Sequence, residues 1–200
     1  MRRRIHDYRG GSSLTFRQKE KRLNMNLVYE LLTWVFGSAA AIFLAVVLVY
    51  SVGIRTSVVG ASMEPILHNG QEILINRIVY QFSSPDRGDV IVFRPNGNQN
   101  SHFYVKRIIG LPGERVQIMQ GQVYIDGQVY EDDAADDTRD AGIAETEMVL
   151  GEDEYFVLGD NRDNSEDSRS ANVGNVNRSM IEGKAWFHLG IGDEKMGRIE

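Results

Sequence analysis

Ser62 sits in VVGASMEP, behind a glycine and an alanine and three residues ahead of a proline. Small neighbours leave its hydroxyl accessible, and Pro65 stiffens the turn that follows. A serine so placed is a turn residue unless a base removes its proton, in which case it can attack an amide carbonyl. Histidine is the usual base, and beyond residue 55 the chain has His68, His102 and His188. Triads assemble in space, so sequence position excludes none of them. Neither Gly-x-Ser-x-Gly nor Ser-x-x-Lys occurs at Ser62, which argues against an α/β-hydrolase or a penicillin-binding enzyme.

Lysine offers a second route. In HFYVKRIIG, strand alternation puts Tyr104, Lys106 and Ile108 on one face and Val105, Arg107 and Ile109 on the other. Among bulky apolar neighbours an ammonium is disfavoured, and full burial lowers a lysine from about 10.4 by up to 3–5 units. A neutral amine can then serve as general base. On an edge strand the same lysine would instead reach out to water. A third stretch, GDNRDNSEDSR at 159–169, directly follows the apolar YFVL and holds six charges, two asparagines and two serines. A solvated turn needs only three or four such residues.

Two hundred residues allow one substantial core and a small appendage. There is no cysteine, which removes disulfides, thiolate nucleophiles and cysteine zinc sites together. The net charge of −6 is uneven: residues 1–26 carry eight Lys/Arg against Asp7 and Glu20, a balance of +6, leaving −12 for the rest. A basic arm can mark a nucleic-acid binder, but here it leads into LLTWVFGSAAAIFLAVVLVYSVGI, 24 residues without a charge. As a helix that run spans a hydrocarbon core of roughly 30 Å, with Trp34 and Tyr50 near its ends where the interface favours them. A core helix would show a polar stripe, and a cleaved signal peptide a shorter apolar run. We therefore expect a basic cytoplasmic arm (1–26), a transmembrane anchor (27–54) and an extracytoplasmic body (55–200), with the lipid bilayer and no nucleic acid as partner.

The body reads as mainly antiparallel β. SVVGASMEPIL and QEILINRIVY are β-rich and separated by His68-Asn69-Gly70. VIVF, HFYVKRIIG, RVQIM and QVYIDGQVY follow, punctuated by SSPDRGD, RPNGNQNS and Leu111-Pro112-Gly113. Asp126-Gly127 between alternating residues signals a two-residue hairpin. IVYQF at 78–82 reads either as a segment dipping into the membrane interface or as a core strand. The acidic segment 131–147, with eight acids and one arginine, matches no EF-hand spacing and reads as a solvated excursion.

SMEPIL (62–67), RGDVIVF (87–93), YVKRIIGLPGE (104–114) and GDNRDNSEDSR (159–169) occur in an order and spacing that resemble the type I signal peptidases of the Gram-positive, single-anchor type. With the anchor, the likeness covers residues 28–190. These are membrane-anchored Ser/Lys endopeptidases built on an antiparallel β-sheet fold shared with self-cleaving repressors. The resemblance implies Ser62 as nucleophile, Lys106 as general base and the Ser62 amide as oxyanion donor. Some members add a serine hydroxyl two residues earlier, where this chain has Gly60, and Ile66 stands where threonine is usual. The resemblance further implies that Ser165 contacts the Lys106 amine. Asp160, Arg162, Asp163, Asp167 and Arg169 would be paired charges holding the loop, with Arg107 opposite Asp160. Such a cluster is tolerable beside a core only if its members satisfy one another.

Val58, Val59, Met63, Leu67, Tyr104 and Val105 match the family's pocket-lining positions. The implied substrates are secretory preproteins cut after small residues at −1 and −3, by a monomer needing no metal or organic cofactor. Two rivals remain at this level. A self-cleaving repressor would carry a DNA-binding domain where this chain has an apolar span. A membrane-tethered binding module would need neither Ser62 nor Lys106.

Overall fold

The computed structural model describes residues 24–52, 54–98, 101–132, 138–192 and 195–199. All but the last three residues of the basic arm lie outside the described residues. The chain divides into two units, Met1–Phe43 and Leu44–Glu200, and every strand belongs to the second.

The uncharged run forms α1, Met25–Val52. Over Met25–Tyr50 its mean hydropathy is 2.4 and none of it is buried, so one helix here is long and apolar enough to cross a membrane. Glu30 is its one charged residue, and no polar stripe marks a face that prefers water.

Beyond it the chain is antiparallel β. The larger sheet uses β1 (Ile54–Ser57), β2 (Glu72–Asn76), β3 (Val90–Phe93), β4 (Tyr104–Gly110), β9 (Glu154–Leu158), β10 (Val176–Asn177), β11 (Ile181–His188) and β12 (Gly197–Arg198). Its order is β1-β2-β11-β3-β4-β9-β10, with β12 on β11. The smaller sheet, β7-β6-β5-β8, uses β5 (Arg115–Met119), β6 (Gln122–Ile125), β7 (Gln128–Tyr130) and β8 (Met148–Val149). All these pairings are antiparallel.

VIVF has no polar residue because β3 is covered on both faces. Val90 and Val92 join one core with Met63, Leu67 and Val105, while Ile91 and Phe93 join another with Ile108 and Val157. A third core, around Val116, Ile118, Phe156 and Leu158, fastens the smaller sheet. The hairpin between β6 and β7 turns at Asp126 and Gly127, with φ of 51° and 78°, as a two-residue turn with both central residues left-handed requires.

Two expected strands stop short. SVVGASMEPIL is extended only to Ser57. Gly60 then turns at φ 86°, and Leu67 N–H donates to Met63 O at 2.8 Å in a helical turn. IVYQF is not a core strand: Val79–Phe82 is a single helical turn, α2, that ends in an exposed Phe82. Asn76 Oδ1 accepts from the amides of Ile78 and Val79, both at 3.1 Å, and so turns the chain out of β2.

Candidate active site

Ser62 lies on the loop between β1 and β2, and the loop is pinned on both sides of it. Val58 bonds to both Gly70 and Gln71 across its neck, Gly70 N–H to Val58 O at 2.8 Å and Val58 N–H to Gln71 O at 2.9 Å. Buried Gln71 accepts from the His68 amide at 2.9 Å, and its Nε2 lies 2.8 Å from His188 Nδ1. Met63 and Leu67 anchor the loop from beneath, fully buried in the core. The helical turn aims both inward, and neither is among the residues lining the cleft beside Ser62. Val58, Val59, Tyr104 and Val105 do line a cleft of about 320 Å³, together with Ser62, Lys106, His102, Asn164 and Glu166.

Lys106 comes from the middle of β4, whose neighbours β3 and β9 cover both its edges. It is 4% exposed, so it is not a lysine reaching out to water. Its Nζ lies 2.7 Å from Ser62 Oγ and 5.5 Å from the centroid of the Tyr104 ring, as alternation requires. Burial is the largest influence on this amine and lowers its pKa from 10.5 to about 8, against the opposing pull of Asp167, Glu166 and Asp160. The partner of Ser62 Oγ is Lys106, while His188 faces Gln71, His68 lies beside Glu64 at 3.7 Å and His102 lines the same cleft.

The polar cluster at 159–169 is a framework of satisfied charges. Arg107, on the face of β4 opposite Lys106, grips Asp160 through two bonds, Nε to Oδ1 at 2.8 Å and Nη2 to Oδ2 at 2.9 Å. Its Nη1 donates to Gly88 O at 2.8 Å. Asp167 accepts from Arg169 Nε and Nη2 at 2.8 and 2.9 Å and from the Gly159 amide at 3.0 Å. Burial opposes its charge, but those donors outweigh it and hold the carboxyl below its ordinary value. The adjoining backbone reaches the Ser62 loop directly, since Asn161 N–H donates to Ser62 O at 3.1 Å.

Some expectations for this loop need amending. Ser165 Oγ is buried and makes no hydrogen bond to the Lys106 amine; the carboxylate it favours is that of Asp167. Asp163 meets only Arg139 at 3.7 Å, with side chains 56% and 82% exposed, and holds little. The acidic segment is not simply solvated. Arg162 donates to Asp132 Oδ2 at 2.7 Å and to Thr138 Oγ1 at 2.8 Å, and Arg169 donates to Asp140 O at 3.0 Å. Residues 133–137 lie outside the described residues. Sequence reasoning missed Asp132 and Thr138, because Asp163 and Glu166 within GDNRDNSEDSR are as near to Arg162 in sequence and gave no reason to look outside the stretch for its partners.

Gly159 is where the two loops close on each other. A Cβ there would fall 2.3 Å from Ser165 Oγ and 2.4 Å from Ser62 O. Gly159→Ala therefore displaces the Ser62 peptide. We expect about 1–3 kcal/mol of lost stability and a rate loss on the order of 10²-fold, measured as kcat/KM beside a urea midpoint. A fully active Gly159→Ala protein would show that this contact does not position Ser62.

Chemically, the site offers an accessible hydroxyl, a buried amine within hydrogen-bond reach of it, and an apolar cleft alongside. Among the described residues no group of His, Asp and Glu is placed to hold a metal ion. A family model described as "Signal peptidase, peptidase S26" matches residues 31–189. Signal peptidase I of Bacillus amyloliquefaciens is 38% identical over 178 residues, covering 85% of this chain and 92% of that protein. Signal peptidase I of Leptolyngbya laminosa is 40% identical over 150 residues, covering 68% and 71%. A crystal structure of a signal peptidase I from Enterococcus faecalis V583 is 31% identical, with a TM-score of 0.41, covering 51% of this chain and 97% of that one. By this match across most of its length, the chain belongs to the signal peptidase family, peptidase S26.

Proposed function

We propose that this chain is a membrane-anchored serine endopeptidase that removes signal peptides from secretory preproteins, with Ser62 as nucleophile and Lys106 as general base. The observation that carries the reading is the 2.7 Å approach of a buried amine to a serine hydroxyl. At an ordinary pKa of 10.5 about one lysine in 3,000 is neutral at pH 7; at about 8 the fraction is about one in ten. Burial thus supplies some 300-fold more of the form able to take a proton. A binding module has no use for an amine held this way.

The neutral Nζ accepts the Ser62 hydroxyl proton as Oγ attacks the scissile carbonyl carbon. The carbonyl oxygen becomes an oxyanion beside the Ser62 amide, which donates to no acceptor among the described residues. Gly60 N–H is engaged by Asn69 Oδ1 at 2.9 Å and does not serve as a second donor. The Lys106 ammonium then protonates the departing amine nitrogen, and the mature protein leaves. Lys106 next takes a proton from water, which attacks the ester and restores Ser62.

An extended substrate pairs beside residues 58–60, continuing the line of β1, which has only β2 as a partner. The walls of Val58, Val59, Tyr104 and Val105 leave room for small side chains at −1 and −3. We assign 1–26 to the cytoplasm, 27–54 to the anchor and 55–200 to the outer side, from the excess of Lys/Arg before the span. Both members of the dyad and the cleft come from one chain, and a monomer suffices.

Detergent-solubilised full-length protein should cleave a preprotein with Ala at −1 and −3 and leave one with Phe at −1 intact. Its kcat/KM should climb roughly tenfold between pH 7 and pH 9, levelling above an apparent pKa of about 8. A profile flat across that range, or equal cleavage of both preproteins, would refute the assignment.

A further inference from the structure

The chain's basic chemistry is not confined to the loop around Asp160. A second cavity, of about 390 Å³, is lined by Arg77, Tyr80, Arg178 and Glu182 among others, and by Tyr50 near the end of α1. None of these groups takes part in the reaction. The pairing of β1 with β2 fixes where the cavity lies along the chain. β1 starts at Ile54, two residues after α1 ends at Val52, and Ile54 pairs with Ile75. Arg77 follows two positions after Ile75. At about 3.3–3.6 Å per extended residue, connectivity alone keeps Arg77 within a short reach of the end of the span.

The cavity has donors to spare. Arg77 makes one side-chain hydrogen bond, Nη2 to Glu182 Oε2 at 2.8 Å, and its Nε is buried without a partner. Arg178 donates through Nη2 to Tyr80 O, and its guanidinium lies 5.4 Å from the centroid of the Tyr80 ring. A guanidinium has five N–H donors in a planar fork suited to phosphate. Glu182 is shared, for its other oxygen meets Arg94 Nε at 3.1 Å, so one carboxylate faces two arginines and does not neutralise the wall. Asp89, behind Tyr80, is taken up by the Tyr80 hydroxyl at 2.8 Å and by Lys184. Beside this cluster α2 ends in Phe82, 86% exposed, an apolar ring that nothing in the fold covers.

A positive cavity, a bare aromatic ring and an adjoining membrane span occur within one short stretch of structure. The geometry points to a binding site for the phosphodiester headgroup of an anionic phospholipid, held by Arg77 and Arg178, with Phe82 entering the acyl layer. This assignment rests on α1 being a membrane span but not on the Ser/Lys chemistry. The lipid would hold the body against the surface from which it emerges and so fix the height of the cleft above it.

The test titrates dihexanoyl-phosphatidylglycerol into full-length protein in nonionic detergent, read by calorimetry, with dihexanoyl-phosphatidylcholine, glycerol 3-phosphate and inorganic phosphate as parallel arms. Saturable binding of the glycerol lipid, at least tenfold tighter than the choline lipid or either soluble phosphate, is expected. Arg178→Gln and Arg77→Gln should each weaken it about fivefold or more, and Phe82→Ser should weaken it while leaving any soluble-phosphate binding as it was. Each variant should still cleave a soluble peptide at the wild-type rate, which shows that it is folded; Arg178→Gln suffices if Arg77→Gln does not fold. The Ser62→Ala protein should bind the lipid normally, which separates this site from the catalytic assignment. Equal binding of both lipids, unchanged binding in Arg178→Gln, or soluble phosphate binding as tightly as the lipid would each overturn the proposal. Flotation with phosphatidylcholine vesicles is read alongside: a chain that fails to float defeats the span, whereas one that floats without preferring the glycerol lipid defeats the headgroup site alone.

Discussion

Lys106→Met should abolish cleavage and at the same time make the protein more stable at neutral pH. The first effect follows from removing the base, and a loss of about 10³-fold or more in kcat/KM is expected. The second follows from the same burial that lowers the amine to about 8. The unfolded chain holds this proton up to about 10.5 and the folded chain releases it near 8, so between those values the unfolded state binds more protons and stability rises with pH. Below pH 8 the folded protein carries a buried ammonium at a cost of about 3 kcal/mol, from 1.36 kcal/mol per unit of pKa. Methionine has similar length and no charge. The gain from Lys106→Met should be largest at or below pH 7 and should fade as pH approaches 10.5. Ser62→Ala supplies the contrast, since it removes the nucleophile and leaves the amine, losing activity without that gain. Urea midpoints for the three proteins at pH 7 and pH 10 read this directly. A Lys106→Met protein that still cleaves, or that is weaker than wild type at pH 7, would contradict the account.

The burial of Lys106 was legible in the sequence because strand alternation is geometric: Tyr104 and Ile108 flank it on its own face, and that predicts burial before any fold is known. Arg107 and Asp160 were legible only through the family likeness, since nothing in local spacing says that a strand residue meets one 53 positions later. The direction of Met63 and Leu67 was not legible, because a position beside Ser62 does not reveal which way the backbone turns, and here a helical turn carries both into the core. The strand reading of IVYQF failed for a different reason. Short apolar runs suit a strand and a helical turn equally, and the choice fell to two hydrogen bonds from Asn76 that no periodicity encodes. Thr138 and Asp132 were hidden by composition: a segment so acidic reads as solvated until the arginine that draws it inward is located.

Asp160→Ala should be the most destabilising single change in the polar loop. It leaves the Arg107 guanidinium, 6% exposed, facing a carboxylate that is gone, in a place water reaches poorly. Burial opposes the charge on Arg107, and it is chiefly Asp160 that holds its pKa above the ordinary value. Removing one member of such a pair costs about 3–5 kcal/mol, because the buried charge that remains keeps only the weaker pull of Asp132 and its bond to Gly88 O. By contrast Asp163→Ala breaks only the exposed contact with Arg139 and should change stability by about 0–1 kcal/mol. Replacing both partners, Arg107→Met with Asp160→Leu, should restore much of what Asp160→Ala loses, since two apolar groups leave no orphaned charge. Activity should not return with stability. Asp160 immediately precedes Asn161, whose amide holds Ser62 O at 3.1 Å, and the ion pair fixes where that amide stands. The double variant should therefore refold with a near-native urea midpoint yet cleave a preprotein on the order of 10²-fold more slowly. If it recovers stability and full activity together, the pair is scaffold alone and the aim of Ser62 is set elsewhere in the loop.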